Sequence, residues 1–316
     1  RNQIKSFAFG EEVEHIPAFL CYGLNNLSTI TIPSNVKSIG YYALGCGITS
    51  VVWNAKKCDN FYSNTTPFYY NMSSSNDEFD IRNQIQSFAF GEEVEHIPAY
   101  LCSGLTNLTS VTIPNSVTSI EGGAFYGCSS LTSVTIGNSV TSIGESAFSG
   151  CSDLTSVTIP NSVTSIGGSA FSGCSGLTSL TIPNSVISIG EHAFLYSSVN
   201  EIKYNGTIGE WCNKSWWPSS ISTNYNLFVN GEKVESCELP NSVTSIGTRA
   251  FLGCNSLTSI TISKSVTSIG DMAFSGCSSL TSVVWNAKNC ADFTSTNTPF
   301  YYYYSSYSSG NNFDIR

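Results

Sequence analysis

Twelve cysteines and three histidines are the side chains of this 316-residue sequence best suited to metal binding, redox chemistry or catalysis. Zinc sites usually hold cysteines in close pairs such as C-x-x-C, and no such pair occurs here. Stacked repeats would bring neighbouring cysteines within disulfide range, yet parallel side chains reach the required torsion with difficulty. We therefore expect buried, reduced thiols that pack as small apolar groups. Five cysteines share one position of an internal repeat: Cys128, Cys151, Cys174, Cys254 and Cys277.

The histidines favour a structural role over a catalytic one. His15 and His96 occupy the same position of a duplicated block, and each follows a glutamate in the sequence GEEVEH. Such a pair could bind a metal or transfer a proton, but a solvated polar edge is the favoured interpretation. No serine lies in a G-x-S-x-G elbow, and no glycine-rich phosphate loop occurs. The sequence predicts a protein that is not an enzyme and that holds no cofactor or metal.

Composition and charge narrow the range of partners. The net charge is -9 at pH 7, and only 11% of the residues are charged. Nucleic acid is held mainly by Lys and Arg on its phosphates, so the acidic balance argues against a nucleic-acid partner. No apolar run approaches the roughly 18 residues of a membrane span, so membrane insertion is not predicted. Residues 1–20 show no signal-peptide pattern.

The dominant feature of the sequence is a unit of about 23 residues that repeats about twelve times. A fixed period of this length is typical of a solenoid, in which each unit packs on its neighbours. We predict one solenoid domain over residues 1–316, with insertions at about 54–84, 205–233 and 286–316. Most intervals are 23 residues, but the unit that starts at Leu27 has 21. The units start at Ile4, Leu27, Ile48, Ile85, Leu108, Leu131, Leu154, Leu177, Val199, Val234, Leu257 and Leu280.

A single unit shows how the walls of the solenoid are built. Apolar residues alternate in the SVTI sequence at 156–159, as in a strand, and Pro-Asn-Ser at 160–162 then turns the chain. Val163 and Ile166 form a second apolar pair on the opposite wall. Residues 170–174 are long enough only for one helical or 3₁₀ turn. Stacked units predict a parallel β-sheet on one wall, with short second strands and turns on the other. The predicted core includes Val111, Ile113, Val117, Ile120 and Phe125.

The repeat pattern reads L-x-x-V-x-I-P-N-S-V-x-x-I-G-x-x-A-F-x-G-C. It resembles the BspA-like, treponeme-type leucine-rich repeat of bacterial surface proteins, over nearly the whole chain outside the insertions. Ordinary leucine-rich repeats carry a buried Asn where this chain has Ser162 and Val163, so no asparagine ladder is expected. The resemblance implies a leucine-rich-repeat solenoid that is mainly β with little helix. It also implies an extracellular or cell-surface protein that adheres to host or matrix proteins.

A longer duplication overlies the 23-residue period. The sequence RNQIKSFAFGEEVEHIPAFLC at Arg1 recurs from Arg82 with only two changes. The sequence TSVVWNAKKC at Thr49 likewise recurs from Thr281, and FDIR occurs both at 79–82 and at 313–316. We therefore expect a segment of a longer, recently duplicated array.

Small hydroxyl side chains follow the outward positions of the predicted sheet. The third residue of each unit is Ser in ten of the twelve units, and the fifth is Thr in six of them. Two ladders of hydroxyls on an almost uncharged face predict a surface for binding proteins, since solenoids commonly bind through such faces. The same ladders could serve an ice-binding solenoid, but Glu201, Lys203 and Glu238 interrupt them. The candidate binding residues are Ser110, Thr112, Ser133, Thr135, Ser156, Thr158, Ser179 and Thr181.

The insertions hold the large aromatic side chains. Trp211 falls where the repeat needs a buried residue, so we expect it in the core. Rings on loops suit sugar or protein contacts, which makes a carbohydrate-binding module the alternative function; packing against the solenoid is the favoured interpretation. A structural spacer in a longer array is a further alternative. The candidate loop aromatics are Trp216, Trp217, Tyr301 and Tyr302.

Overall fold

A computed structural model describes residues 3–71, 78–214, 224–293 and 298–300 of the chain. In these residues the chain winds into a solenoid in which each repeat contributes to three walls. We call them the sheet wall, built from the SVTI-type strands; the second wall, built from two-residue strands; and the turn wall, built from the A-F-x-G-C segments. The architecture is a parallel-stranded β-solenoid with almost no helix, as the sequence predicts.

The sheet wall is formed by parallel strands that pair one repeat apart. Ser110 lies opposite Ser133, and Val134 lies opposite Val157, so equivalent residues stack directly on one another. The alternation of exposed and buried residues in each strand follows from the two faces of a pleated strand. The strands are Thr29–Ile32, Ser50–Trp53, Ser87–Phe90, Ser110–Thr112, Ser133–Thr135, Ser156–Thr158, Ser179–Pro183, Glu201–Asn205, Asn226–Val229, Ser236–Glu238, Ser259–Ile262 and Ser282–Trp285.

The second wall is also built from stacked parallel strands, but these strands are shorter. Each consists of a polar residue and a buried isoleucine, and neighbouring strands pair in parallel, with Ile120 opposite Ile143. A strand of two residues gains little from its own hydrogen bonds, so burial of the isoleucines stabilises this wall. Its strands are His15–Ile16, Ser38–Ile39, His96–Ile97, Ser119–Ile120, Ser142–Ile143, Ser165–Ile166, Ser188–Ile189, Ser245–Ile246 and Ser268–Ile269.

The turn wall differs in part from the predicted helical or 3₁₀ turn. The Ser172 amide donates to the Ser169 carbonyl, which is the i to i+3 bond of a 3₁₀ turn. However, φ is +54° at Ser169 and +72° at Gly173, and such left-handed residues prevent a helix. The alternate amides are thereby free to bond between repeats: Phe171 donates to the Ala193 carbonyl at 2.7 Å. The turn is therefore a third hydrogen-bonded ladder.

The core runs the length of the described solenoid, and the burial predicted for Val111, Ile113, Val117, Ile120 and Phe125 is confirmed. Aromatic rings stack along its turn side, because six repeats supply a Phe at the same position: Phe125, Phe148, Phe171, Phe194, Phe251 and Phe274. Phe148 and Phe171 have ring centroids 5.3 Å apart with planes 7° from parallel, and Phe171 and Phe194 repeat this geometry. Phe125, Phe148, Phe171 and Phe194 thereby form one continuous stack.

The repeat-position cysteines are buried free thiols, as predicted. Cys151 donates its thiol to the Phe125 carbonyl at 3.3 Å, and Cys174 donates to the Phe148 carbonyl at 3.2 Å. Burial raises the pKa of the Cys174 thiol to about 12, because a thiolate there would lose its hydration. Cys151 and Cys174 therefore act as small apolar residues that also satisfy a carbonyl of the preceding repeat.

The first insertion forms a small antiparallel sheet of its own. Its strands are Thr65–Thr66, Tyr69–Asn71 and Glu78–Asp80, and a 3₁₀ helix follows at Arg82–Gln84. Its Thr-Pro-Phe sequence joins the turn wall, since the Leu44 amide donates to the Pro67 carbonyl and the Phe68 side chain is fully buried. Phe300 of the second Thr-Pro-Phe sequence likewise stacks on Phe274 at 5.3 Å. Packing against the solenoid, the favoured interpretation of the insertion aromatics, is confirmed for Phe68, whereas Phe300 stacks on Phe274 but is 37% exposed.

The middle insertion supplies a helix, Ile208–Cys212, and an extra strand of the sheet wall. Asn226–Val229 pairs with the preceding strand, then returns through a two-residue turn into Glu232–Lys233. Ser236–Glu238 instead pairs with the following strand, so the hydrogen-bonded sheet is interrupted here. Trp211 is fully buried, as predicted.

The inward positions of the strand Ser282–Trp285 are exposed, unlike their duplicates. Val283 is 41% and Trp285 is 42% exposed, whereas Val51 and Trp53 are fully buried. The reason is local: Val51 and Trp53 are covered by the strand Ser87–Phe90, and no strand of the described residues pairs with the corresponding edge of Ser282–Trp285.

Candidate functional site

The candidate hydroxyl residues lie on the outer face of the sheet wall. The residues between them in each strand, Val111, Val134 and Val157, are buried and fix the outward direction of their neighbours. Six are exposed: Ser110, Thr112, Ser133, Thr135, Ser156 and Thr158. Ser179 and Thr181 are partly buried on the same face. The structure therefore brings all eight onto one surface, which we call the hydroxyl face.

An ion pair marks one end of the hydroxyl face. In the next strand, Glu201 lies opposite Ser179 and Lys203 lies opposite Thr181, so charged residues continue both ladders. The Lys203 ammonium and the Glu201 carboxylate are 3.3 Å apart and compensate each other. Because both are well exposed, this pair contributes little to stability. It does separate the uncharged part of the face from the middle insertion.

A cleft marks the other end of the hydroxyl face. Its volume is about 460 Å³, and it lies between the strands Ser87–Phe90 and Ser110–Thr112, which no hydrogen bond joins in the described structure. Phe88 and Phe90 line this cleft at the positions of Val111 and Ile113 in the next repeat, and their rings are 5.0 Å apart. Sequence reasoning missed the cleft, although these bulky residues in the FAF sequence are the signal that could have revealed it.

The candidate loop aromatics Trp216, Trp217, Tyr301 and Tyr302 lie outside the described residues. They therefore remain sequence predictions.

The histidines contact neighbouring repeats. His15 Nδ1 lies 2.8 Å from Ser38 Oγ, and His96 Nε2 lies 2.8 Å from the Cys58 carbonyl oxygen. Within the described ranges, no group of three or more His, Cys, Asp or Glu is arranged to hold a metal ion. None of the helices in the same ranges has the length and apolarity needed to cross a bilayer.

Comparisons with known proteins indicate the protein family to which this chain is similar. The profile of the BspA type Leucine rich repeat region matches residues 1–94, 95–222 and 220–309, in six copies. A leucine-rich repeat protein from Bacteroides ovatus has a similar structure, with a TM-score of 0.58 and 22% identity over 92% of this chain and 69% of that one. This likeness supports the fold alone. A search of curated proteins found no match.

Two further solved structures are less similar in shape. A leucine rich cell surface protein from Faecalibacterium prausnitzii has a TM-score of 0.33 and 25% identity, covering 91% of this chain and 87% of that one. The T. pallidum Leucine Rich Repeat protein has a TM-score of 0.32 and 28% identity, covering 56% and 69%. The profile matches most of the chain, and the solenoid geometry agrees with it. The chain therefore belongs to the family of BspA-type leucine-rich-repeat proteins.

Proposed function

We propose that this chain is a non-enzymatic, extracellular interaction protein that binds host or matrix proteins through the hydroxyl face, in the manner of an adhesin. One observation carries the proposal: six exposed Ser and Thr side chains form two aligned ladders on a surface without charge. A leucine-rich-repeat fold is consistent with a protein-interaction role. The adhesive role and the location outside the cell go beyond a general protein-interaction role, and these two proposals rest on membership of the BspA-type family.

The physical properties of the hydroxyl face suit a protein partner. A hydroxyl both donates and accepts a hydrogen bond, so the ladders can meet either kind of polar group. Burying neutral groups costs less than burying charges, provided that they find partners. The underlying strands are held by parallel pairing and by a buried core. Binding should therefore cost little conformational entropy in the backbone of this face. The cleft beside Ser110 and Thr112 adds a concave feature that could seat one larger side chain of the partner.

Charge substitution on the hydroxyl face tests the proposal. The double variant Thr135→Lys with Thr158→Lys places two like charges one repeat apart. We expect it to lose binding to immobilised collagen, laminin and fibronectin in a surface-plasmon assay. Because both positions are exposed, stability should change by only about 0.5 kcal/mol, which a melting curve checks.

A matched control separates the hydroxyl face from charge in general. Thr141→Lys with Thr164→Lys introduces the same charges one repeat apart, at exposed positions next to the second wall. This control should bind like the wild type. Loss in Trp216→Ala with Trp217→Ala, and not in the hydroxyl-face variant, would instead favour the loop aromatics. Absence of wild-type binding to all three matrix proteins would favour a spacer role.

A further inference from the structure

We propose that a cleft on the turn wall, formed by Tyr22, Asn25, Tyr42, Asp80 and Gln84, binds a neutral glycan. The cleft has a volume of about 510 Å³, within the range of small-ligand sites. It lies on a different wall from the hydroxyl face, so it constitutes a second binding site that does not depend on the function proposed above.

The cleft exists because one repeat is short. The unit that starts at Leu27 has 21 residues where most have 23, and the missing residues fall in the turn wall, before Gly47. In a full-length repeat the Cys128 amide donates to the Phe125 carbonyl three residues back, whereas here the Cys46 amide donates to the Leu44 carbonyl two residues back, at 2.8 Å. The first insertion then places Asp80 and Gln84 beside the shortened turn.

The aromatic rings of the cleft are held in place by packing. Tyr22 is 40% exposed, and its ring centroid lies 5.9 Å from that of the buried Tyr42. Phe19 packs edge-on against both, at 6.0 Å from Tyr22 and 5.8 Å from Tyr42. A Cβ on Gly45 would come within 2.2 Å of the Tyr42 ring, so this arrangement requires a glycine. The exposed Tyr22 ring offers an amphipathic platform on which the C–H face of a pyranose could stack.

The polar groups of the cleft are also held in fixed positions. Asp80 accepts from the backbone amide and Nε of Arg82 at 2.9 Å, and from Nη2 at 2.6 Å. The Arg82 guanidinium lies 3.7 Å from the centroid of the Tyr69 ring, which fixes it in turn. A carboxylate has about four acceptor sites, so capacity remains for a sugar hydroxyl. The exposed amide side chains of Asn25 and Gln84 add donors and acceptors at the rim.

The charge balance of the cleft favours an uncharged ligand. Asp80 is compensated by Arg82, so the pair presents a local dipole and no net charge. An anionic ligand would meet the Asp80 carboxylate, and the ion pair with Arg82 leaves that carboxylate little net charge with which to hold a cation. A neutral sugar satisfies the same groups through its hydroxyls. Glycosidases generally need two carboxylates across the scissile bond, and Asp80 is the single carboxylate among the described residues that line the cleft. The geometry therefore supports binding without cleavage.

An array of immobilised glycans tests the proposal on the full chain. The probes are neutral oligosaccharides of glucose, galactose, mannose and xylose, together with sialylated and sulfated counterparts. We expect wild-type protein to bind at least one neutral class in preference to its charged counterparts. For that glycan, Tyr22→Ala should weaken binding at least tenfold, and Gln84→Ala should weaken it measurably.

Tyr126 provides a matched control for Tyr22. Both tyrosines donate their amide to the carbonyl three residues back in the same type of turn, and Tyr126 is 49% exposed, but Tyr126 does not line this cleft. Tyr126→Ala should bind like the wild type. If Tyr22→Ala lowers the melting temperature, its loss of binding could reflect unfolding, and the binding of the Gln84→Ala variant, at an exposed position, then tests the proposal. The proposal is overturned if no neutral glycan binds, or if Tyr22→Ala and Gln84→Ala both bind like the wild type. The hydroxyl-face variants should leave glycan binding unchanged, so the two proposals can fail separately.

Discussion

The same residue of each turn adopts a left-handed conformation, whatever its side chain. A positive φ costs an L-residue roughly 1–2 kcal/mol, so the inter-repeat hydrogen bonds of the turn wall must outweigh that cost. Glycine meets the requirement without strain, and Gly123 occupies this position in its repeat with φ of +62°. The other occupants are Phe19, Tyr42, Tyr100, Ser146, Ser169, His192, Arg249 and Met272.

Two opposite substitutions in one turn test this backbone argument. Gly173→Ala should lower the free energy of unfolding by about 1–2 kcal/mol, because φ is +72° there. An added Cβ would meet its nearest neighbour at 3.6 Å, an ordinary contact, so the loss is conformational. Ser169→Gly should instead raise stability by up to about 1 kcal/mol. Urea unfolding measures both, and changes of the same sign would contradict the argument.

Buried thiols make stability depend on pH at the alkaline end. Burial raises the pKa of Cys174 and Cys277 from an ordinary value of 9.0 to about 12. Below pH 9 these thiols are neutral in both the folded and the unfolded chain, so their ionisation does not lower the free energy of unfolding. Between pH 9 and 12 the unfolded chain loses protons that the folded chain keeps. Each such thiol should therefore cost about 1.4 kcal/mol per pH unit.

Urea unfolding at pH 8 and pH 10 measures this loss, and Cys174→Ala should reduce the difference between the two. Thiol modification gives an independent check at pH 8. Cys290 is the partly exposed cysteine and should react first with a disulfide reagent, while the buried thiols react only after denaturation. Rapid reaction of all twelve in native protein would contradict the described burial.

Among the elements, the helix Ile208–Cys212 is too short to be stable alone. A capping box compensates in part. The Glu210 amide donates to Thr207 Oγ1 at 3.2 Å, and the Thr207 amide donates to Glu210 Oε2 at 2.6 Å. The bond from the Thr207 amide, and a second from the Thr207 hydroxyl to Glu210 Oε2 at 3.0 Å, also lower the pKa of Glu210, because both favour its ionised carboxylate. The cap positions Trp211, which fills the core where the repeats supply smaller residues.

Removing the capping side chain should destabilise the middle insertion. Thr207→Ala is expected to cost about 1 kcal/mol, since the first-turn amides lose their acceptor. Thr207→Ser keeps the hydroxyl and should behave like the wild type. Urea unfolding followed by circular dichroism reports the change. Equal stability of the alanine and serine variants would show that the cap contributes nothing.

On the scale of the whole molecule, the solenoid is a chain of nearest-neighbour interfaces. In the regular repeats the strands pair with those of the adjacent repeats, and Phe148 stacks on Phe171 across one such interface. The energetic coupling between two repeats should therefore decrease with the number of repeats that separate them. Residues in adjacent repeats should be coupled energetically, and those several repeats apart should not.

A double-mutant cycle tests that rule. Phe148→Ala and Phe171→Ala should each cost about 3–5 kcal/mol as core cavities. Their rings are stacked at 5.3 Å, so the double variant should deviate from additivity by about 0.5–1.5 kcal/mol. Phe148→Ala combined with Phe251→Ala should be additive within about 0.5 kcal/mol. Equal coupling in both pairs, measured by urea unfolding, would contradict a nearest-neighbour solenoid.

The sequence by itself determined the features that repeat. Alternation in the SVTI strands placed Val111 and Val134 inside and Thr112 and Thr135 outside, because a pleated strand has two faces. The period determined the stacking, since one repeat cannot bury its own apolar side. Even the burial of Trp211 followed from its place in the period. Position within the repeat is local information, so these predictions required no knowledge of distant contacts.

Only the tertiary structure determined the conformation and the contacts of the chain at the short repeat, at the insertions and in the turn wall. Tyr22 and Asp80 are far apart in sequence, and they share a cleft because one short turn and one insertion lie side by side. Phe68 continues the turn wall from within an insertion whose path no periodicity predicts. The left-handed φ of Ser169 depends on hydrogen bonds to the next repeat, which outweigh its local preference for a 3₁₀ turn. Each case depends on contacts between segments whose proximity is set by packing and not by local sequence.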